Sequence, residues 1–172
     1  MDVGFGTSGL RGPAEALLDG AAAKHARAFC LHLLDTGKLS PGGSVCIAAD
    51  RRPSSPALIE TCIQAVSQAG LHPLNCGEVP TPALAHHAMA RDAAAIMVTG
   101  SHIPADRNGL KFYLPTGEIT KQDEHAIAEL AADRGSGHSP SGRAIPADTH
   151  GCREAVIAGW LERYRGVLPS DA

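Results

Sequence analysis

At 172 residues, 44% hydrophobic and 19% charged, the chain is long enough for one domain with a real core and too apolar to be disordered. A net charge of -3 gives no electrostatic footing for nucleic acid or an anionic membrane, and no apolar run is long enough to span a bilayer. The N-terminus shows no charged-then-apolar leader, so the expectation is a cytoplasmic protein with neither nucleic acid nor membrane as a partner.

Aromatics make up 3% of the residues, so the core must be built from Ala, Leu, Val and Ile. The five cysteines, Cys30, Cys46, Cys62, Cys76 and Cys152, are odd in number and none are spaced as CxxC. Several fall on apolar faces. They read as buried thiols in a reducing compartment, with neither a disulfide frame nor a zinc site expected.

Residues 4–12, GFGTSGLRG, set four glycines around Thr7, Ser8 and Arg11. Such a segment either forms an anion-binding nest with Arg11 as its counter-charge or is a flexible tail. Phe5 and Leu10 argue against the tail, and spacing alone leaves the two readings even. Ala21 to Asp35 has apolar residues at helical spacing and ends at Gly37. Lys24, His25 and His32 lie largely off that stripe and are expected in solvent.

Val45 to Ala49 is a buried-type strand running into Asp50-Arg51-Arg52-Pro53. Ser55 is the expected N-cap of the next helix, with Pro56 at its first position and Gly70 closing it. His72 to Cys76 is a weaker strand. Thr81 and Pro82 then open a helix to about Arg91. His86 and His87 are adjacent, so they diverge by about 100° on a helix and cannot make an i, i+4 metal pair. Both are expected to be solvated or internally satisfied.

Ala93 to Val98 is a third buried strand and empties into Thr99-Gly100-Ser101-His102. Strand, helix, strand, helix, strand predicts an α/β fold with parallel strands and right-handed crossovers. The loops at 50–55, 77–81 and 99–108 then share one sheet edge, where α/β sites form. Arg51 or Arg52 would thereby reach the neighbourhood of Ser101. Lys111 to Leu114 reads as a strand that turns at Gly117 into a short return, and with no helix before it this strand is expected to be antiparallel. Thr120 caps a helix from Lys121 to about Ala132. Residues 133–151 are rich in Gly, Ser and Pro and read as a loop or linker. Cys152 to Val167 is a last helix with Val156, Ile157, Trp160, Leu161 and Tyr164 on one stripe. That face either packs back on the domain or faces something else.

The chemistry centres on Ser101. A serine hydroxyl needs a base or a metal to become a nucleophile, and the local helpers are His102, Lys111 and Arg11. A serine hydrolase would show GxSxG at a strand-to-helix elbow, and this loop does not. Phosphoryl transfer suits it better, because positioning and positive charge do most of that work. Gly100 and Asn108-Gly109 permit close backbone approach, and Lys111 adds a cation. An isolated Gly-Ser-His turn with a surface lysine would be unremarkable; its setting is what carries weight.

GTSGLRG at the N-terminus, ADRRPSSP after the first strand, GEVPTP after the second and TGSHIPADRNGLKFY after the third resemble the α-D-phosphohexomutase family. This is the phosphomannomutase/phosphoglucomutase type, with phosphoglucosamine mutase as a close relative. The matches occur in the family's order from residue 4 to about residue 120. The resemblance implies a three-layer α/β/α domain with a mostly parallel four-stranded sheet, mixed if 111–114 runs antiparallel. It implies that Ser101 is the phosphoserine that passes its phosphoryl group to a hexose 1- or 6-phosphate, through a hexose 1,6-bisphosphate intermediate. It further implies a Mg2+ bound through the phosphate on Ser101, Lys111 in proton transfer, and Arg11 and His102 lining the site. Thr7, Ser8, Gly100 and Asn108 would belong to the phosphate and substrate loops, and Arg52 would be structural or supporting.

The family has three further domains, which supply an aspartate loop for Mg2+, a sugar-discriminating loop and a phosphate clamp. No DGDxDR-like run occurs here. The expectation is therefore a first domain over residues 1–150 and an exit helix over 151–172, inactive or nearly so alone. Surfaces left bare by missing domains leave room for a homo-oligomer. The alternative is a non-catalytic module that binds a sugar phosphate or a protein.

Overall fold

The computed structural model describes residues 3–133, 145–148 and 151–165. The chain opens with β1 (Gly4–Phe5), β2 (Leu10–Pro13) and a short turn of helix, α1 (Ala14–Ala16). A π-type turn at Leu17–Ala21, with Gly20 at φ 100°, redirects the chain into α2 (Ala22–Asp35). Then follow β3 (Ser44–Ala49), α3 (Ser55–Gln68), β4 (His72–Glu78), α4 (Thr81–Met89), β5 (Ala94–Val98), β6 (Arg107–Leu114), β7 (Gly117–Glu118), α5 (Lys121–Ala132) and α6 (Cys152–Arg165).

The sheet order is β1-β2-β6-β5-β3-β4, with β7 paired to β6. β4, β3 and β5 are parallel neighbours, and β6 joins β5 antiparallel. The α/β class and the antiparallel fourth strand follow the sequence reading. The sheet is larger and more mixed than expected, because residues 4–13 are not a flexible tail. They form a hairpin whose second strand pairs along β6, with Leu10 opposite Leu110 and Arg11 opposite Gly109. Glycine-rich composition hid strands that are held by ladder hydrogen bonds and by burial of Leu10.

Alternation along the strands divides the core into two layers. Val45, Ile47, Ile96, Val98, Leu110 and Phe112 face α2, α3 and α5; Cys46, Ala48, Ala95 and Met97 face α4 and α6. The two layers and the sheet make the α/β/α sandwich. Val156 of α6 is buried in the second layer, and Trp160 lies 5.9 Å from the His86 ring, so the final helix packs back on the domain. Leu161 and Tyr164 on the same helix remain exposed.

Several local expectations change. Ser55 is not a cap: α3 begins at Ser55 itself, and its buried hydroxyl donates to Asp50. Pro80, not Thr81, precedes the first turn of α4. Thr120 does cap α5, in a capping box with Asp123. His32 is buried, not solvated; its Nε2 lies 2.7 Å from Asp123 Oδ1 and joins α2 to α5. Cys30, Cys46 and Cys62 are buried thiols as expected, but Cys76 and Cys152 form a disulfide. The expectation of five separate thiols fails because β4 and the start of α6 meet only in the folded chain. The loop expected over 133–151 lies mostly outside the described residues. Its described part, 145–148, reaches the sheet edge, where Asn75 N–H donates to the Asp148 carbonyl at 2.9 Å. Among the described residues no helix is long and apolar enough to cross a membrane.

Candidate active site

β3 and β5 are parallel neighbours, so the loops that leave their C-terminal ends meet. Asp50 N–H donates to the Val98 carbonyl at 2.9 Å and stitches them at the exit. The Asp50 carboxylate then organises the serine loop. Oδ2 accepts the Thr99 hydroxyl at 2.9 Å and Gly100 N–H at 3.0 Å; Oδ1 accepts the Ser55 hydroxyl at 2.7 Å and Arg52 N–H at 3.1 Å. Partial burial works against the charged carboxylate, but the bonds from Ser55, Arg52, Thr99 and Gly100 outweigh it and hold Asp50 below the usual carboxylate range.

Arg52 does the complementary job for the carbonyl groups of the same loop. Its guanidinium donates to the carbonyls of Pro104 (2.5 Å), Ile103 (2.6 Å), Arg107 (3.0 Å) and Ser101 (3.3 Å), and its Nε lies 3.3 Å from Asp50 Oδ2. A planar fork with five donors can serve four carbonyls at once; a lysine ammonium, with three donors on one atom, cannot. Arg51, the other arginine considered, turns outward to Glu78 at 2.9 Å. Arg52 is therefore the arginine that reaches the serine loop.

The result is a single exposed serine held in an uncommon backbone state. Ser101 has φ 55°, in the left-handed region. For a non-glycine residue this costs about 1–2 kcal/mol. Its N–H is fixed by the Thr99 hydroxyl at 2.9 Å, and the surrounding bonds over-determine the loop. The hydroxyl and the neighbouring His102 face solvent at the end of β5.

Ladder partners share a face, as do residues two apart, so Arg11, Gly109, Lys111 and Met97 lie on one face of the sheet. The stem of Arg11 passes over Gly109, where an added Cβ would sit 3.2 Å from its Cγ. The stem of Lys111 passes over Gly9, where an added Cβ would sit 3.1 Å from its Cγ. Both residues are half-buried along their stems.

Not every sequence-predicted residue gathers there. Leu10, Leu110 and Val98 form one row across three strands, so Arg11 lies a step nearer the serine loop and the backbone of Lys111, opposite Met97, a step farther from it. Thr7 and Ser8, at the tip of the β1–β2 hairpin, lie on the other side of that row. Ser8 donates to Glu118 at 3.4 Å, and Thr7 is exposed. Asn108 is fully buried; its amide nitrogen donates to the hydroxyls of Ser54 (2.9 Å) and Ser55 (3.1 Å), tying β6 to the start of α3. It braces the loop from below. Asp50 and Thr99 were the residues sequence reasoning missed. The available signal was an acid directly after a buried parallel strand, at the edge where such loops converge.

The donor set does not make a Mg2+ site by itself. Both Asp50 oxygens already accept hydrogen bonds from the loop. Among the described residues, the cluster of three or more metal-ligating side chains lies elsewhere, in the second core layer.

An α/β/α domain with a strained, exposed serine after its third parallel strand defines a class. The chain belongs to the phosphoglucomutase/phosphomannomutase family and matches its alpha/beta/alpha domain I over residues 2–137. It is 46% identical over 97% of its length to a phosphomannomutase of Sinorhizobium fredii, of which it covers 35%. It is 34% identical over 80% of its length to a phosphoglucosamine mutase of Pelotomaculum thermopropionicum, of which it covers 31%. The crystal structure of a phosphoglucomutase/phosphomannomutase family protein from Burkholderia thailandensis superposes with a TM-score of 0.71 at 25% identity, over 94% of this chain and 35% of that one. The chain thus spans about a third of the length of the relatives it matches.

Proposed function

We propose that this chain is the phosphoserine-bearing part of a phosphohexomutase, with Ser101 as the carrier of the phosphoryl group. The observation that supports this best is the left-handed, exposed Ser101 in a loop whose Gly100 N–H is held by Asp50, whose Ser101 N–H is held by Thr99 and whose carbonyls are held by Arg52. That is positioning for a group transfer, which phosphoryl chemistry rewards more than covalent ingenuity.

In the forward half-reaction, a hydroxyl oxygen of a hexose phosphate bonds to phosphorus as the bond from phosphorus to Ser101 Oγ breaks. Lys111 relays the proton: it gives one to the departing Ser101 Oγ and takes up the one released by the attacking hydroxyl, so neither oxygen is left charged. Arg11 and His102 line the transferring phosphate and stabilise its charge. A hexose 1,6-bisphosphate results, and the reverse step from its other end returns a phosphoryl group to Ser101. A Mg2+ on the phosphoserine would supply further charge neutralisation, with its other ligands from outside the residues seen here. Residues 1–150 are read as this serine domain and 151–172 as the helix leading out of it. On this reading the metal ligands and sugar contacts come from elsewhere, and the isolated chain turns over little by itself.

The test is mass spectrometry of the purified chain after incubation with glucose 1,6-bisphosphate. A phosphoryl adduct on the peptide carrying Ser101, absent in Ser101→Ala, is the expected result. No adduct, together with sugar-phosphate binding that survives Ser101→Ala, would replace this reading with a non-catalytic sugar-phosphate module.

A further inference from the structure

On the α4/α6 side of the sheet is a group of side chains for which phosphoryl transfer has no use. Cys46 of β3, Cys76 of β4 and His87 of α4 are buried, and one ligand atom from each lies within 4.8 Å of the others. Cys152, the first residue of α6, is bonded to Cys76, which sets a third sulfur beside this group. Four elements, β3, β4, α4 and α6, converge here with three sulfurs and one imidazole. Cys30 and Cys62, in the opposite core layer, have no histidine in such a group and are explained as apolar filling.

We propose that, once the Cys76–Cys152 disulfide is reduced, Cys46, Cys76, Cys152 and His87 bind one Zn2+ in a tetrahedral site that fixes the start of α6 to the sheet. Three thiolates and one imidazole are a common structural zinc set. Zinc–sulfur bonds of about 2.3 Å space tetrahedral ligands ~3.8 Å apart, a spacing that Cys46, Cys76 and His87 already approach and that Cys152 completes by turning inward once it is released from Cys76. Soft sulfur ligands favour zinc over Mg2+ or Ca2+.

The charges also suit the site. A phosphine reductant and water convert the disulfide to two thiols and a phosphine oxide. On binding, three thiols lose three protons, and three thiolates with Zn2+ leave a net charge of -1. The Arg91 guanidinium supplies the opposite charge: its Nη1 lies 3.1 Å from His87 Nδ1. Arg91 is exposed and can swing off this nitrogen when the imidazole turns to the metal. Burial, with Arg91 and His86 nearby, keeps His87 below the usual histidine range, so it is a neutral ligand without losing a proton. Burial pushes the Cys46 thiol up to about 11, which makes it inert until a metal displaces its proton.

The test titrates the whole chain, phosphine-reduced and freed of air, with Co2+ as the spectroscopic probe. The expected result is one equivalent of tetrahedral Co2+ with intense d–d bands and a sulfur-to-cobalt charge-transfer band, both bleached by Zn2+. Cys46→Ser should abolish the charge-transfer band or shift it to a two-sulfur intensity, and Cys152→Ser should do the same. The double variant Cys30→Ala/Cys62→Ala should keep the full spectrum. Cys152 is half-buried at a helix start, where serine is well tolerated, so that variant is informative even if Cys46→Ser misfolds. A weak octahedral spectrum from a reduced chain that is folded by circular dichroism would overturn the proposal. So would an unchanged tetrahedral spectrum in Cys152→Ser.

Discussion

Gly100 and Arg52 compete for one volume: a Cβ on Gly100 would fall inside the Arg52 guanidinium. The residue before the serine has no side chain because the arginine that clamps the loop occupies that space. Gly100 is thus needed for the close approach of Arg52, and the glycine and the arginine act as one device.

Gly100→Ala should push Arg52 off its carbonyl partners. The expected cost is about 1–3 kcal/mol of stability, read from urea unfolding, since overpacking and lost buried bonds act together. Phosphorylation of Ser101 by glucose 1,6-bisphosphate should fall by roughly tenfold or more, corresponding to about 1.4 kcal/mol of lost positioning. An alanine variant as stable and as readily phosphorylated as the parent would contradict this coupling.

Arg52→Lys keeps the charge and loses the fork. Four carbonyls, of Ser101, Ile103, Pro104 and Arg107, now share one guanidinium. A lysine ammonium cannot satisfy all four from one point. The expected loss is about 1–3 kcal/mol, with faster amide exchange confined to residues 101–107. Hydrogen exchange measured peptide by peptide distinguishes this local loosening from global unfolding.

Acid should weaken the fold through two carboxylates. Asp50 and Asp123 are both depressed below their ordinary value of 3.8; burial opposes the charge, and hydrogen bonds from Ser55 to the first and from Thr120 to the second lead the groups that overcome it. A depressed carboxylate contributes stability that is complete above the unfolded value and is lost as pH falls through the folded one. The urea midpoint should therefore drop as pH is lowered from about 5 toward 2, and Asp50→Asn with Asp123→Asn should flatten that drop while lowering the midpoint at neutral pH.

Thr120→Ala removes the capping box of α5. The Thr120 hydroxyl accepts Asp123 N–H at 3.2 Å and donates to the Asp123 carboxylate at 2.7 Å. The expected loss is about 0.5–2 kcal/mol. Because Asp123 also holds the buried His32, thermal unfolding of Thr120→Ser should lie close to the parent and that of Thr120→Ala clearly below it.

The strands and helices between residues 21 and 132 were legible because their apolar residues recur at helical or strand spacing. The Ser101 loop stood out for a related reason: an apolar run that stops abruptly at Gly and Ser marks a sheet edge. The β1–β2 hairpin was not legible, because its pairing depends on β6, about a hundred residues later. Ser55 looked like a cap from its place before Pro56, but the carboxylate of Asp50 claims its hydroxyl. His32 looked solvated because its partner, Asp123, lies on another helix.

By itself, then, the sequence determined the α/β class, the order of the elements and the serine at the end of the third strand. These follow from local periodicity and from the turn chemistry of Gly, Pro and Ser. Tertiary structure decided which arginine clamps that serine, which acid holds its backbone, and which cysteines meet. Each of those is a contact between chain segments distant in sequence. Parallel strands bring loop ends together across the sheet, and no local pattern states which side chain will fill the shared space.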